Sequence, residues 1–328
     1  MKKEFMQAAP EALRQFLIYN EAIKNKASSS IDEYFRDLQT FFRYIKLIKG
    51  RVLDDTNFDR IEINDVDIDL IKTIKVTDLY SYLVFCKDDR NNNSTTRARK
   101  VSSLKQFFKY LTVQTHQLEE NPAELLDSPK LKKSLPKHLT LENSLELLNS
   151  VKESDSPNSI RDYCIITLFL NCGMRLSELC SLNVTDISTD GSLRILGKGN
   201  KERVIYLNDA CRSSLLDYLK VRPNEGIPVD HKNALFISRN RRRISNKTVQ
   251  HIVYTYLDRI GLGGQGLSVH KLRHTAATLM YQHGGVDIRV LQDILGHENL
   301  GTTQIYTHVA DAQVKSAIDS LNVMKFLK

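Results

Sequence analysis

Tyr306 stands nine residues after His297, near the end of a chain whose other candidate groups fall in separated clusters. These are Arg175 within Gly173-Met-Arg-Leu-Ser-Glu-Leu179, Lys198 within Gly197-Lys-Gly199, and His270 and Arg273 within His270-Lys-Leu-Arg-His274. A phenol, with its ordinary pKa of about 10, is a poor nucleophile until cations stabilise the phenolate or a base takes the proton. With both, it can attack the phosphorus of a DNA backbone. One phosphodiester then replaces another, so the bond energy is kept, no ATP is needed, and reversal rejoins the strand. The charge that builds on the non-bridging oxygens suits arginine, whose planar fork grips two oxygens and never loses its charge. Arg175 and Arg273 are the candidates. Arg175 falls just after Gly173 at an expected helix start, where free backbone N–H groups also favour anions. Glu178, three residues on, can pair with Arg175 and orient it. His270 and Arg273, at i and i+3, share a helix face, and a histidine near neutrality can accept a hydroxyl proton. His274 is expected to point elsewhere. Lys198, at a glycine-flanked tip, could swing in to protonate the departing sugar oxygen. Each cluster also has a plainer reading: an ion pair for Arg175, an exposed turn for Lys198, and a helix C-cap at Leu295-Gly296 for His297.

Bulk properties agree with such a partner without requiring it. The 328 residues suit two domains. Lys and Arg total 47 against 39 Asp and Glu, a formal net charge of +8, and excess base favours a polyanion. Five cysteines without CxxC spacing read as buried thiols in a reducing cytoplasm. The spacing of Cys, His and carboxylates suggests no metal site, and the Gly-x-x-x-x-Gly-Lys-Ser/Thr phosphate loop is absent. No cofactor is expected. Neither a signal peptide nor a membrane span is expected, so the chain is placed in the cytoplasm.

The elements that must hold these residues are mainly helical. Apolar stripes at Leu13, Phe16, Leu17 and Ile23, at Tyr34, Leu38, Phe41, Phe42 and Ile45, over Val76–Cys86, and at Val101, Leu104, Phe107, Phe108 and Leu111 predict four helices. Ser30 with Glu33 reads as a capping box for the second, and the Asn91–Ser94 loop caps the fourth. The fourth leaves Arg97, Arg99, Lys100 and Lys105 outward. Asn121-Pro122 is expected to start a short helix. Two prolines and a run of lysines over 128–138 predict an extended basic linker between a helical domain, 1–127, and a second domain, 139–328. There, Thr140 starts a helix, Arg161–Asn171 is a buried helix, and Leu176–Leu182 is another. Leu193–Leu196 and Val204–Leu207 form a β-hairpin with Lys198 at its tip, and Ala234–Ile237 is a further possible strand. The remainder is helical, broken at Gly261–Gly266 and Gly284-Gly285.

Taken together, the order Arg175, Lys198, His270-x-x-Arg273, His297, Tyr306 resembles the catalytic domain of the tyrosine recombinases, the phage integrase family. The matching segments are Cys-Gly-Met-Arg-Leu-Ser-Glu-Leu, Gly-Lys-Gly-Asn-Lys-Glu-Arg, Ser-Val-His-Lys-Leu-Arg-His-Thr-Ala-Ala-Thr and Leu-Gly-His-Glu-Asn-Leu-Gly-Thr-Thr-Gln-Ile-Tyr-Thr-His. The likeness is close over about 140–310 and looser over 10–130, where it resembles the family's helical core-binding domain. The acidic stretch 50–75 departs from it. Among members it is most similar to the Xer-type recombinases and related mobile-element integrases.

The resemblance implies a mainly α fold with a small antiparallel sheet, in which a helical core-binding domain precedes an α+β catalytic domain. It implies site-specific recombination through a 3′-phosphotyrosyl intermediate on Tyr306. Arg175 and Arg273 hold the scissile phosphate, His297 donates a hydrogen bond to it, His270 is the general acid/base, and Lys198 protonates the 5′ oxygen. Glu178 positions Arg175. The implied partner is a double-stranded recombination site, gripped through Arg97, Arg99, Lys105, Arg239, Arg241, Arg242 and Arg243. The apolar stripe Val314, Ala317, Ile318, Leu321, Met324 implies a C-terminal helix, about 311–327, that docks on a neighbour in a tetramer on two sites. A DNA translocase is a possible regulator. The role implied is dimer resolution in chromosome segregation, or element integration and excision. The alternatives are type IB topoisomerase-like relaxation and a non-catalytic DNA-binding protein of the same fold.

Overall fold

Aromatic residues at helical spacing dictate the first half of the chain. The computed structural model describes residues 3–53, 55–130, 137–197 and 202–296, and the chain divides into two compact units, Met1–Lys133 and Ser134–Lys328. The first unit contains α1 (Lys3–Ala8), α2 (Glu11–Ala22), α3 (Ser28–Ile48), α4 (Ile68–Lys72), α5 (Val76–Asp88) and α6 (Ser94–Lys109), which runs into a π turn at Tyr110–Gln114. Phe16, Phe41, Phe42, Tyr82, Phe107 and Phe108 are buried at its centre. Their rings meet edge-on, Phe41 with Tyr82 at 5.1 Å and Phe42 with Phe107 at 5.6 Å between centroids, the orientation that sets ring edge against ring face.

One carboxylate lies within this aromatic core. Asp37 on α3 accepts from Arg99 Nη1 at 2.5 Å, Lys100 Nζ at 3.2 Å and Ser103 Oγ at 2.8 Å, all from α6. Lys100, expected outward, is therefore buried, because its long stem carries the ammonium inward to a buried anion. Arg99 also pairs with Glu33 at 2.6 Å. The capping box expected at Ser30 does not form. The helix starts three residues earlier with Ala27 as N-cap, so Ser30 lies within the first turn and Glu33 is left to pair sideways. Asn93 does cap α6, accepting from Thr96 N at 2.8 Å. Asn121-Pro122 opens a turn rather than a helix, with Asn121 Oδ1 accepting from Ala123 N at 3.0 Å.

The second unit is built around α8 (Ser159–Cys172), whose Cys164, Ile165, Ile166, Leu168 and Phe169 are fully buried. It packs against α7 (Leu141–Lys152), α10 (Asp209–Val221) and α12 (Val269–His283). Between them lie α9 (Leu176–Ser181), strands β1 (Ser192–Leu196) and β2 (Glu202–Tyr206), and α11 (Asn246–Arg259); α13 (Ile288–Leu295) follows α12. β1 and β2 form an antiparallel pair in which Ser192 faces Tyr206 and Leu196 faces Glu202. Thr140 caps α7 as expected, accepting from Asn143 N. Residues 234–237 form no strand. Ala234 bridges Asn183 and Ile237 bridges Arg243, so this short run is shared between two partners instead of pairing with one. All five cysteines are buried thiols. Among the described residues no helix is long and apolar enough to cross a membrane. The chain enters this unit fastened to α12, where Leu139 N donates to Thr275 Oγ1 at 2.9 Å.

Removing one partner of a buried ion cluster costs more than the cluster contributes, because the stranded charge stays desolvated. Asp37→Ala is therefore expected to destabilise the protein by about 3 kcal/mol through the buried Lys100 ammonium. Urea unfolding of the full chain checks this, and a loss below about 1 kcal/mol would show that the ammonium escapes to water.

Candidate active site: three arginines on one carboxylate

The site begins at a sharp break between helices. Gly173 ends α8 in the left-handed region, with φ 57°, which glycine tolerates at little cost. It must also be small. A Cβ there would lie 2.8 Å from Leu295 Cδ2 of α13. Two residues later Arg175 is the N-cap of α9, and Glu178 occupies the third position of that helix. Glu178 reaches back so that Oε2 accepts from the Arg175 backbone N–H at 2.7 Å. This is the acidic half of a capping box.

The Glu178 carboxylate is only 3% exposed, and arginines from three elements surround it. Arg175 Nη1 donates to Oε1 at 2.7 Å. Arg203, on β2, donates Nη1 to Oε1 and Nη2 to Oε2, each at 2.9 Å, a fork on a fork. Arg273, on α12, brings Nη1 to 4.0 Å from Oε2. Burial alone would raise the Glu178 pKa. The Arg203 hydrogen bonds, the Arg175 backbone N–H and the surrounding positive charge outweigh it and hold the pKa at about 2.

The same arginines grip the C-terminal end of α13. Arg203 Nε donates to Ile294 O at 3.3 Å, Arg273 Nη2 to Leu295 O at 2.6 Å, and Arg175 Nη2 to Gly296 O at 2.9 Å. Three successive carbonyls at the negative end of a helix thus accept from three cations. Gly296 closes the helix in the left-handed region, φ 63°, with Arg203 packed where a side chain would project. Arg273 also donates Nη1 to Gly173 O at 2.7 Å, tying α12 to the α8–α9 break.

His270 lies in the first turn of α12, one turn before Arg273. Partial desolvation, then the charges of Arg273, Lys271 and Arg175, lower its pKa below the usual 6.5, so the neutral ring dominates at neutral pH. His274 does not point elsewhere. At i+4 it stands one turn above His270, and their rings meet edge-to-face with centroids 4.7 Å apart.

The described residues thus bring together Arg175, Glu178, His270 and Arg273. Lys198, His297 and Tyr306 lie outside the described residues, as does the segment 311–327. The expected DNA contacts are distributed differently from one another. Arg239, Arg241 and Arg242 are exposed on a tight turn, closed by Ser238 N to Arg242 O at 2.8 Å, with Arg241 at φ 57°. Arg97 is half-buried on α6, and Lys105 Nζ lies 3.4 Å from Glu124 O. Arg99 is engaged by Asp37 and Glu33. Arg243 is turned inward: its guanidinium donates to Cys180 O, Ser181 O, Leu182 O and Asn183 Oδ1 at 2.6–3.1 Å, closing the C-terminus of α9. Sequence reasoning missed Arg203. The available signal was parity: on β2 it shares the inward side with buried Ile205.

Because the folded pKa of Glu178 is depressed from 4.5 to about 2, its stabilising contribution is full above the unfolded value and is lost as pH falls through the folded one. Wild type is expected to lose on the order of 3 kcal/mol from this group between about pH 5 and pH 2. In Glu178→Gln that part of the acid limb should be missing when stability is measured by denaturant unfolding at each pH. An unchanged limb would mean that Glu178 is not the group that titrates.

Residues 137–313 match the phage integrase family. Over 317 residues the chain is 51% identical to a tyrosine recombinase XerC of Caldanaerobacter subterraneus subsp. tengcongensis, covering 96% of this chain and 88% of that protein. It is 36% identical over 244 residues to a tyrosine recombinase XerD of Proteus mirabilis, covering 74% and 77%. Its fold is similar to that of the XerH site-specific recombinase solved with its difH substrate before cleavage, with TM-score 0.67, 23% identity, and 93% and 84% of the two chains covered. The chain belongs to the phage integrase family, in which it is a tyrosine site-specific recombinase of the Xer type.

Proposed function

We propose that this recombinase cuts and rejoins double-stranded DNA at specific sites through a 3′-phosphotyrosyl bond to Tyr306. The observation that carries this reading is the charge balance at Glu178. Three guanidinium groups converge on one carboxylate, so among the described residues cationic side chains outnumber anionic ones at this point. Of the three, Arg175 keeps the most accessible side chain, 37% exposed against 15% for Arg203 and 4% for Arg273. A surplus of fixed cations with one open guanidinium suits a phosphodiester whose transition state gathers charge on its oxygens.

In this reading Arg175 and Arg273 hold the scissile phosphate. Neutral His270 takes the Tyr306 proton as the phenol attacks and returns it on rejoining. Lys198, in the sequence between β1 and β2, protonates the leaving 5′ oxygen. His297, next in sequence after the Gly296 carbonyl that Arg175 binds, donates to the phosphate. The exposed arginines 239, 241 and 242, with Arg97 and Lys105, contact flanking phosphates and set register rather than sequence. Exchange between two duplexes opens four strands. One tyrosine per chain then requires four copies, held together through the segment 311–327. Named relatives that are site-specific recombinases favour strand exchange over supercoil relaxation. The setting is cytoplasmic DNA, and a DNA translocase is the kind of partner that would license such an assembly.

A nicked duplex, carrying a site selected by binding from a randomised pool, tests the nucleophile. Wild type should trap a covalent protein–DNA complex and Tyr306→Phe none; equal trapping by the variant would remove Tyr306 from this role. The trapping rate should also fall with acidity along a limb centred below pH 6.5, as His270 becomes protonated. His270→Gln should slow trapping by about 100-fold and abolish that limb. A limb unchanged in the variant would assign it to another group.

A further inference from the structure

Arg203 belongs to none of the reacting groups, yet it makes more bonds to Glu178 than any other side chain. A carboxylate offers about four acceptor positions. Among the described residues, four hydrogen bonds reach the Glu178 carboxylate, two from each of two residues. Arg175 supplies one guanidinium nitrogen and its backbone N–H, and Arg203 supplies both nitrogens of its fork. Arg175 therefore binds the carboxylate with one guanidinium nitrogen only, and its second terminal nitrogen goes to Gly296 O. The Arg175 side chain remains 37% exposed.

We infer that Arg203 is a positioning residue for DNA cleavage, which fills the Glu178 carboxylate so that Arg175 stays turned toward the scissile phosphate. Without Arg203, two acceptor positions on a buried carboxylate stand empty, at a cost too large to leave unanswered. The neighbouring guanidinium with the more exposed side chain is Arg175, at 37% against 4% for Arg273, which is fixed on Gly173 O and Leu295 O. Arg175 rotates into a fork on Glu178, and the edge that would meet the phosphate is consumed. Arg203 is well placed to prevent this. Its Nε is held by Ile294 O at 3.3 Å, and Gly296 leaves room for the guanidinium to lie flat against the helix end. Lysine cannot substitute fully, because a point charge satisfies one oxygen where the fork satisfies two.

This inference rests on the recombinase reading of Arg175, and the two fail differently. The test uses the full chain and the selected nicked duplex in two forms, one with an ordinary scissile phosphate and one with a neutral methylphosphonate in its place. A neutral centre places little demand on the Arg175 charge. Arg203→Ala is expected to slow covalent trapping by about 30-fold on the phosphate duplex, the scale of losing one oriented donor. On the methylphosphonate duplex it should slow trapping by no more than about threefold, since the transition state there gathers one negative charge fewer. Arg203→Lys should fall between, with the same bias toward the phosphate duplex. Equal slowing on both duplexes, or none on either, would overturn the inference. Should Arg203→Ala fail to fold, the ratio for Arg203→Lys decides in the same way. If wild type traps neither duplex, the recombinase reading itself falls, and this inference with it, before any substitution is compared.

Discussion

An ionised carboxylate in a nearly dry position organises the catalytic unit. Glu178 could not be charged where it is without cations at hydrogen-bond distance, and those cations could not stand so close together without it. The dependence is mutual. Arg175, Arg203 and Arg273 come from α9, β2 and α12, and each is held by Glu178 on one side and by a backbone carbonyl of residues 294–296 on the other. Four elements that also share apolar packing are thereby fixed at one polar point. Arg243 secures the arrangement from behind, by closing the far end of the short helix on which Glu178 rides.

The consequence for chemistry is preorganisation. Guanidinium groups already oriented by neutral and anionic acceptors need not reorganise when a phosphate acquires charge, which is the condition under which electrostatic stabilisation is most effective. The α13 carbonyls matter here as much as the carboxylate. They offer partial negative charge that orients the arginines without cancelling a full unit of their charge. His270, one turn from Arg273, has its proton affinity lowered first by burial and then by the charges of Arg273, Lys271 and Arg175, so in the proposed reading acid–base function and anion binding are adjusted together.

Much of the fold was legible because periodicity is local. The stripe at Phe41, Phe42 and Ile45 and the apolar run within α8 each specify a buried helix from within a few turns. The four described residues Arg175, Glu178, His270 and Arg273 were legible too, from their types and from the order in which they occur. What escaped was local pattern without local cause, and contact without local pattern. Ser30-x-x-Glu33 has the form of a capping box but lies inside a helix that Ala27 begins. Ala234–Ile237 has strand composition but no single partner strand. Lys100 was read as solvent-facing because nothing nearby reveals Asp37, 63 residues away. Arg203 and Arg243 gave no hint of their partners for the same reason. His274 is different, since the i+4 spacing by itself sets its ring on that of His270.

The sequence separations at Glu178 also bear on when the protein becomes reactive. Arg203 lies 25 residues beyond Glu178, and the Arg175 bond to Gly296 spans 121 residues. Contacts that close such long loops form late, after the local helices, because their entropy cost comes before their reward. A chain emerging from the ribosome therefore carries Arg175 and Glu178 long before it carries the helix end that completes their surroundings. The surroundings of Glu178 are thus completed only after residue 296 has been made, so a copy cut short before it lacks the acceptors that orient all three arginines.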